Sequence, residues 1–229
     1  MANNGNSPLG PKLVVFDMAG TTVQDQGEVP LAFTAALHKQ GIDITPDQLN
    51  AVRGASKRQA VFDLIPAGPD RQTRADQAYL EFKRDLAQRF SQSVQCVPGA
   101  PETFANLRQR GIRVALNTGF DREITQLLLA ALRWDGGTTV DAVACGDEVR
   151  QGRPAPFLIF RCMELTETQN VHEVAVVGDT VLDLQAGHNA GVRWNIGVLS
   201  GAHSQEKLMR EPHTHLLPSV AELLGIWPA

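Results

Sequence analysis

The sequence predicts an α/β protein: a doubly wound, Rossmann-like parallel sheet with an inserted α-helical cap domain. Three observations predict it. Short, continuously apolar runs recur along the chain and stop in small or polar residues, as strands buried on both faces do. Amphipathic stretches of helical period separate those runs, the alternation that builds a parallel sheet. One long segment interrupts the alternation with helical patterns alone.

The first strand is Leu13-Val14-Val15-Phe16, ending in Asp17 and a Gly-Thr-Thr turn. The interruption follows, with helical patterns over residues 30–40, 46–52, 57–65 and 71–90 and no convincing strand. The alternation then resumes: helix 101–110, strand 112–116, helix 122–132, strand 140–144, helix 156–163, strand 174–177 and helix 182–190. Runs at 192–198 and 215–217 extend the sheet. The chain accordingly divides into a disordered tail (1–11) rich in Asn, Gly and Pro, a Rossmann-like core (12–27 and 96–229) and a helical cap (28–95).

A chain of 229 residues, 43% hydrophobic and 20% charged, can bury the core of such a domain together with an insert. Its net charge of -4 supplies no cationic field, which argues against nucleic-acid or membrane-surface partners and for a small-molecule ligand. Cys96, Cys145 and Cys162 are far apart with no Cys-x-x-Cys spacing, so neither a disulfide framework nor a structural zinc site is expected. A reducing cytoplasm is the expected setting. The tail lacks the basic-then-apolar order of a signal peptide, and no apolar run approaches the ~20 residues that span a bilayer.

Open α/β sheets bind ligands at the carboxyl ends of their strands, where Asp17 falls. Alone, Asp17 and the following Gly20-Thr21-Thr22 would read equally well as a turn that starts a helix. Other strand ends carry matching signals: Thr118 after the second, Arg153 beside Pro154 in a loop, and Gly178-Asp179-Thr180 with Asp183. A carboxylate is a poor nucleophile toward an anionic phosphoryl group unless a hard divalent cation and a basic side chain cancel the repulsion. Asp17, Asp179, Mg²⁺ and Arg153 make up that minimum set.

This combination resembles the haloacid dehalogenase superfamily of phosphohydrolases over essentially the whole chain after the tail. The resemblance implies that Asp17 attacks phosphorus and becomes an aspartyl-phosphate. Thr118 and neighbouring backbone N–H groups, that of Gly119 among them, would hold the phosphoryl oxygens, and Arg153 would neutralise charge. Asp17 and Asp179 would bind Mg²⁺, with Asp183 either capping its helix or supporting the metal from behind.

Most phosphatases of that superfamily carry a second Asp two positions after the nucleophile, to protonate the leaving alcohol. Here the position is Ala19, and losing a general acid typically forfeits ~10²–10⁴-fold. Asp17-Met18-Ala19-Gly20-Thr21-Thr22 is similar to the motif of the phosphonatase branch, the phosphonoacetaldehyde hydrolases, which also have Arg at the place of Arg153. In that branch the Ala carbonyl binds Mg²⁺, and a cap-domain lysine forms a Schiff base with the substrate aldehyde. Lys57, in Gly54-Ala55-Ser56-Lys57, occupies the corresponding place.

Chemistry explains the exchange of an acid for a lysine. Breaking a carbon–phosphorus bond leaves a carbanion, and an iminium one carbon away accepts its electron pair as an enamine. Lys57 must be neutral to attack the carbonyl, and nearby positive charge favours that form. Adjacent Arg58, and Arg53 on the same face of a helical segment, are the expected sources. The branch's Met four residues before the lysine and His three after it are here Arg53 and Ala60, and the loop Gln24-Asp25-Gln26-Gly27-Glu28 lacks the branch's cysteine. Asp25, Glu28 and His38 are therefore the candidates for proton handling.

The expected substrate is phosphonoacetaldehyde, or a related phosphonoaldehyde with a polar or anionic group that Arg53 would bind. Two alternatives stand beside it: a phosphatase of a small phosphomonoester with Lys57 as a substrate-binding cation, and a non-catalytic protein that binds a phosphate ligand. The resemblance also implies a homodimer joined through the caps. His172, His188, His203, His213 and His215 read as structural or surface residues, and Trp134, Trp194 and Trp227 as packing groups.

Overall fold

The computed structural model describes residues 10–92, 94–134 and 136–227; the first nine residues of the expected disordered tail lie outside them. Six strands form the sheet: β1 (Leu13–Asp17), β2 (Arg113–Asn117), β3 (Ala142–Ala144), β4 (Val174–Gly178), β5 (Trp194–Val198) and β6 (His215–Leu217). All pair in parallel, in the order β3-β2-β1-β4-β5-β6. β1 is thus central, with Asp17 opposite Asn117 of β2 and Phe16 opposite Val177 of β4.

Successive side chains of β1 point to opposite faces of the sheet. Val14 and Phe16 enter one apolar core and Leu13 and Val15 the other, all fully buried. Burial on both faces is why the run contains no polar residue until Asp17, where the strand ends at the ligand-binding edge. The expected doubly wound parallel sheet is therefore present, with a helical insert after its first strand.

The insert consists of α1 (Glu28–His38), α2 (Pro46–Ala51), α3 (Lys57–Leu64) and α4 (Arg71–Phe90). Helix α4 buries Ala75, Ala78, Tyr79, Phe82, Leu86 and Phe90, a stripe at intervals of three and four residues. Phe82 meets Phe33 of α1 with ring centroids 5.1 Å apart, and Phe90 meets Phe120 beyond β2 at 6.3 Å. The Tyr79 hydroxyl also donates to Asp121 Oδ2 at 2.8 Å, so α4 bridges the insert and the sheet.

The rest of the chain supplies α5 (Ala100–Gln109), α6 (Arg122–Leu132), α7 (Phe157–Leu165), α8 (Val181–Ala190) and the short α9 (Gln205–Leu208). Trp134 packs on Phe104, and Trp194 on Trp227, as the packing role expected of these tryptophans requires. β3 is shorter than the apolar run 140–144. Val140 bridges to Gly136 instead, and the Asp141 carboxylate accepts from the Val114 amide.

One local expectation fails. Arg53 and Lys57 do not share a helical face, because residues 52–54 form a turn and α3 begins only at Lys57. Gly54 is the cause: its φ is +83°, a conformation that L side chains rarely adopt, and an added Cβ would stand 2.3 Å from Thr180 Oγ1.

Phe104 lies under the centre of the sheet, 5.1 Å from Phe16 and 5.2 Å from Trp134 between ring centroids. Phe104→Ala is expected to destabilise the protein by about 3–5 kcal/mol, measured by urea unfolding. A change below about 1 kcal/mol would show that this cluster is not a main support of the core.

Candidate active site

Asp17 is presented at the end of the central strand, 6% exposed, where three further segments converge on it. Arg153, from the loop before α7, places Nη2 2.7 Å from Asp17 Oδ1 and Nε 2.9 Å from Asp183 Oδ1. The same guanidinium donates to the Asn117 side-chain oxygen at 2.5 Å, to the Asn117 carbonyl at 3.1 Å and to the Gly54 carbonyl at 3.1 Å. One buried cation thus joins β1, β2, α8 and the turn that precedes α3.

Asp179 follows β4 and is fully buried. Thr21 donates to its Oδ1 at 2.8 Å and the Ala202 amide to its Oδ2 at 2.7 Å. Asp183 forms a capping box with Thr180 at the start of α8 while also holding Arg153, so it serves the helix and the site together. Neither Asn117 nor Ala202 was singled out from the sequence. Asn117 stood in plain view at the second strand end, but its role needs a partner that only the fold supplies. Ala202 lies past the end of β5, whose strand end carried no charged residue.

Lys57 enters from the insert. Its backbone N–H donates to the Gly119 carbonyl at 2.9 Å, and Nζ donates to the Ala55 carbonyl at 3.2 Å while lying 5.5 Å from the Phe120 ring centroid. The two segments touch so closely that a Cβ on Gly119 would lie 2.2 Å from the Ala55 oxygen. Burial pushes the Lys57 pKa down; Asp17 opposes that shift and Arg153 adds to it. The neighbouring cation that matters is Arg153. Arg58 turns outward to Asp76 at 2.7 Å instead, correcting the expectation that it favours a neutral Lys57.

These groups line one cavity. Asp17, Ala19, Thr118, Gly119, Arg153 and Asp179 line it from the ends of the strands and the loops beyond them, together with Asp25, with Arg53 and Lys57 of the insert, and with the apolar Val29, Phe33, Leu49 and Val52. Asp183 stands behind Arg153. Of the three candidates for proton handling, Asp25 alone lines this cavity, its Oδ1 accepting from the Gly27 and Val29 amides at 3.2 Å each. His38 is exposed and paired with Asp43, and Glu28 accepts from the Gln26 amide. His203 is buried and structural: its Nδ1 accepts from the Val181 amide at 3.0 Å.

The donor set fits a hard divalent cation. Asp17, Asp179 and Asp183 bring carboxylate oxygens within 4.8 Å of one another, all buried. Burial raises Asp17 to about 6 against the pull of Arg153, and burial with the charges of Asp17 and Asp183 raises Asp179 to about 8. One guanidinium does not balance three carboxylates, and oxygen donors at this spacing suit Mg²⁺.

A model of the haloacid dehalogenase-like hydrolase family matches residues 14–196. The chain belongs to this family. This haloacid dehalogenase-like hydrolase is 31% identical, over 227 residues, to the phosphonoacetaldehyde hydrolase of Bacillus cereus strain G9842, a match covering 90% of this chain and 82% of that one. Its fold is shared with a phosphonoacetaldehyde hydrolase-like protein from Oleispira antarctica, with a TM-score of 0.81 at 22% identity over 94% of this chain and 91% of that one. A predicted phosphoglycolate phosphatase from Haemophilus somnus has the same fold, with a TM-score of 0.76 at 18% identity over 94% and 97% of the two chains.

The raised carboxylates give this site of the hydrolase a testable signature. Acids whose pKa rises on folding bind more protons folded than unfolded, so their contribution to stability falls as pH rises from the ordinary value of 3.8 and is lost once it has passed about 6 for Asp17 and about 8 for Asp179. Mg²⁺ binding to the ionised pair should therefore raise the melting temperature more at pH 8 than at pH 5, and Asp179→Asn should remove most of that difference. Equal Mg²⁺-induced shifts at both pH values, measured by scanning calorimetry, would contradict the assignment.

Proposed function

We propose that this hydrolase cleaves the carbon–phosphorus bond of phosphonoacetaldehyde or a closely related phosphonoaldehyde. The observation that carries the reading is the sharing of one buried cavity by the Lys57 amine and the Asp17 carboxylate, with Ala19 where a general acid would otherwise stand. The identity to phosphonoacetaldehyde hydrolases over most of the chain supports the same substrate class. The three free cysteines are in keeping with a reducing cytoplasm.

Lys57, kept toward its neutral form by burial, attacks the aldehyde carbon; a proton is taken up, water leaves and the nitrogen–carbon double bond forms as the N-protonated iminium. Asp17 then attacks phosphorus. The phosphorus–carbon bond breaks, its electron pair enters the enamine, and the aspartyl-phosphate forms. The enamine takes a proton at carbon, and water hydrolyses the resulting imine to acetaldehyde and free Lys57. A second water releases phosphate from Asp17.

Arg153 orients the attacking carboxylate through its bond to Asp17 Oδ1 and brings positive charge to the phosphoryl group. Thr118 and Gly119 stand at the end of β2, where they would bind phosphoryl oxygens. Asp25 is the group on the cavity wall suited to carry protons at the imine. Asp17, Asp179 and the Ala19 carbonyl would hold Mg²⁺, which when bound supplies a hard positive charge for the phosphoryl oxygens. The apolar wall from α1 and α2 excludes bulk water from the imine.

Borohydride reduction in the presence of phosphonoacetaldehyde tests this reading. A covalent adduct is expected on Lys57 and is expected to be absent in Lys57→Ala, read by peptide mass spectrometry. Its yield should reach half-maximum at a pH below the ~10.4 of an exposed lysine. No adduct, together with retained hydrolysis of phosphomonoesters by Lys57→Ala, would favour a phosphatase that uses Lys57 only as a binding cation.

A further inference from the structure

Arg53 is the unspent charge of the cavity. Among the described residues its guanidinium makes no ion pair, and its Nε is buried without a hydrogen-bond partner. It stands on the turn just before Gly54, lining the same cavity as Lys57 and Asp17. Arg153, the other arginine there, is already committed to Asp17, Asp183 and Asn117.

The surroundings of Arg53 leave it open to an anion. It also borders a cleft shared with Lys207 and Arg210 of the core, and of the two acids there, Asp47 and Glu211, neither forms an ion pair with Arg53 among the described residues, Glu211 accepting from Gln185 instead. Within the cavity the wall is apolar, from Val29, Leu49 and Val52. A guanidinium held beside an apolar wall is suited to paired hydrogen bonds with a planar carboxylate.

The place of Arg53 also sets where on the substrate that carboxylate sits. The phosphoryl group belongs against Asp17 and Arg153, and the carbonyl carbon belongs at Lys57. Arg53 comes from the same turn of the insert that leads into Lys57 and lines the cavity with it, which places it to meet what the carbonyl carbon carries.

We infer that Arg53 forms a carboxylate subsite and that the preferred substrate is a phosphonate with a 2-oxo acid in place of the simple aldehyde. This rests on the Schiff-base reading above. The chemistry balances in the same way: Lys57 forms the carbon–nitrogen double bond and expels water, and the phosphorus–carbon bond breaks as Asp17 bonds phosphorus. The electron pair passes into the enamine, carbon takes a proton, and water releases the 2-oxo acid. A further water frees phosphate.

The test compares 3-phosphono-2-oxopropanoate with phosphonoacetaldehyde in wild type, Arg53→Met and Arg53→Lys, reading phosphate release and borohydride adducts at Lys57. Wild type is expected to have the higher kcat/KM for the carboxylated compound. Arg53→Met should lower the ratio of the two kcat/KM values by about tenfold or more, the scale of a lost charged hydrogen bond, and Arg53→Lys should restore part of it. Because the ratio is internal to each variant, a partly misfolded preparation does not alter it. Adducts with both compounds and a ratio unmoved by Arg53→Met would overturn the subsite alone. No Lys57 adduct with either compound would overturn the subsite and the Schiff-base reading together.

Discussion

The Arg153 guanidinium stands among three buried carboxylates and bonds two of them, and the organisation of the site depends on that arrangement. Burying a charged pair is costly unless every donor finds a partner. Arg153 meets the condition with Asp17, Asp183, the Asn117 side chain and two backbone carbonyls. Those partners come from β1, α8, β2 and the turn before α3. Removing one member of such a buried set costs about 3–5 kcal/mol, so the geometry of Asp17 and the seating of the insert are linked.

The link holds Lys57 in one cavity with Asp17 although the two lie on different parts of the fold. Gly54 lends its carbonyl to Arg153 and its left-handed turn packs on Thr180, while Lys57 and Ala55 lie against Gly119. The turn that carries the amine is thereby fastened to the ends of β2 and β4. The same closeness desolvates Lys57, which lowers its pKa, and brings Arg153 near enough to add to the effect. A lysine on an open surface would stay protonated at neutral pH and be a poor nucleophile.

Much of this was legible in the sequence, for a physical reason. Strands buried on both faces must be apolar throughout, so each ends visibly where a polar residue appears, and Asp17, Thr118 and Asp179 were found at those ends. What could not be read was pairing across the chain. Asn117 has no chemistry of its own until Arg153 arrives from 36 residues away. Arg58 and Arg153 are equally charged in sequence, yet one turns to Asp76 at the surface and the other is buried beside Asp17. The shared helical face of Arg53 and Lys57 failed on the conformation of one glycine, although both side chains line the cavity by another route. Asp25, Glu28 and His38 were indistinguishable until the start of α1 turned Asp25 alone inward.

The central claim is that Lys57 draws off the electron pair of a breaking carbon–phosphorus bond while Asp17 takes the phosphorus. Phosphonoacetaldehyde turned over with Mg²⁺ in D₂O and followed by ³¹P and ¹H NMR tests it most directly. The account predicts loss of the phosphonate resonance, equimolar inorganic phosphate, and acetaldehyde carrying one solvent deuterium in its methyl group, all abolished in Asp17→Asn. An unchanged phosphonate resonance under conditions where a phosphomonoester is hydrolysed would contradict it.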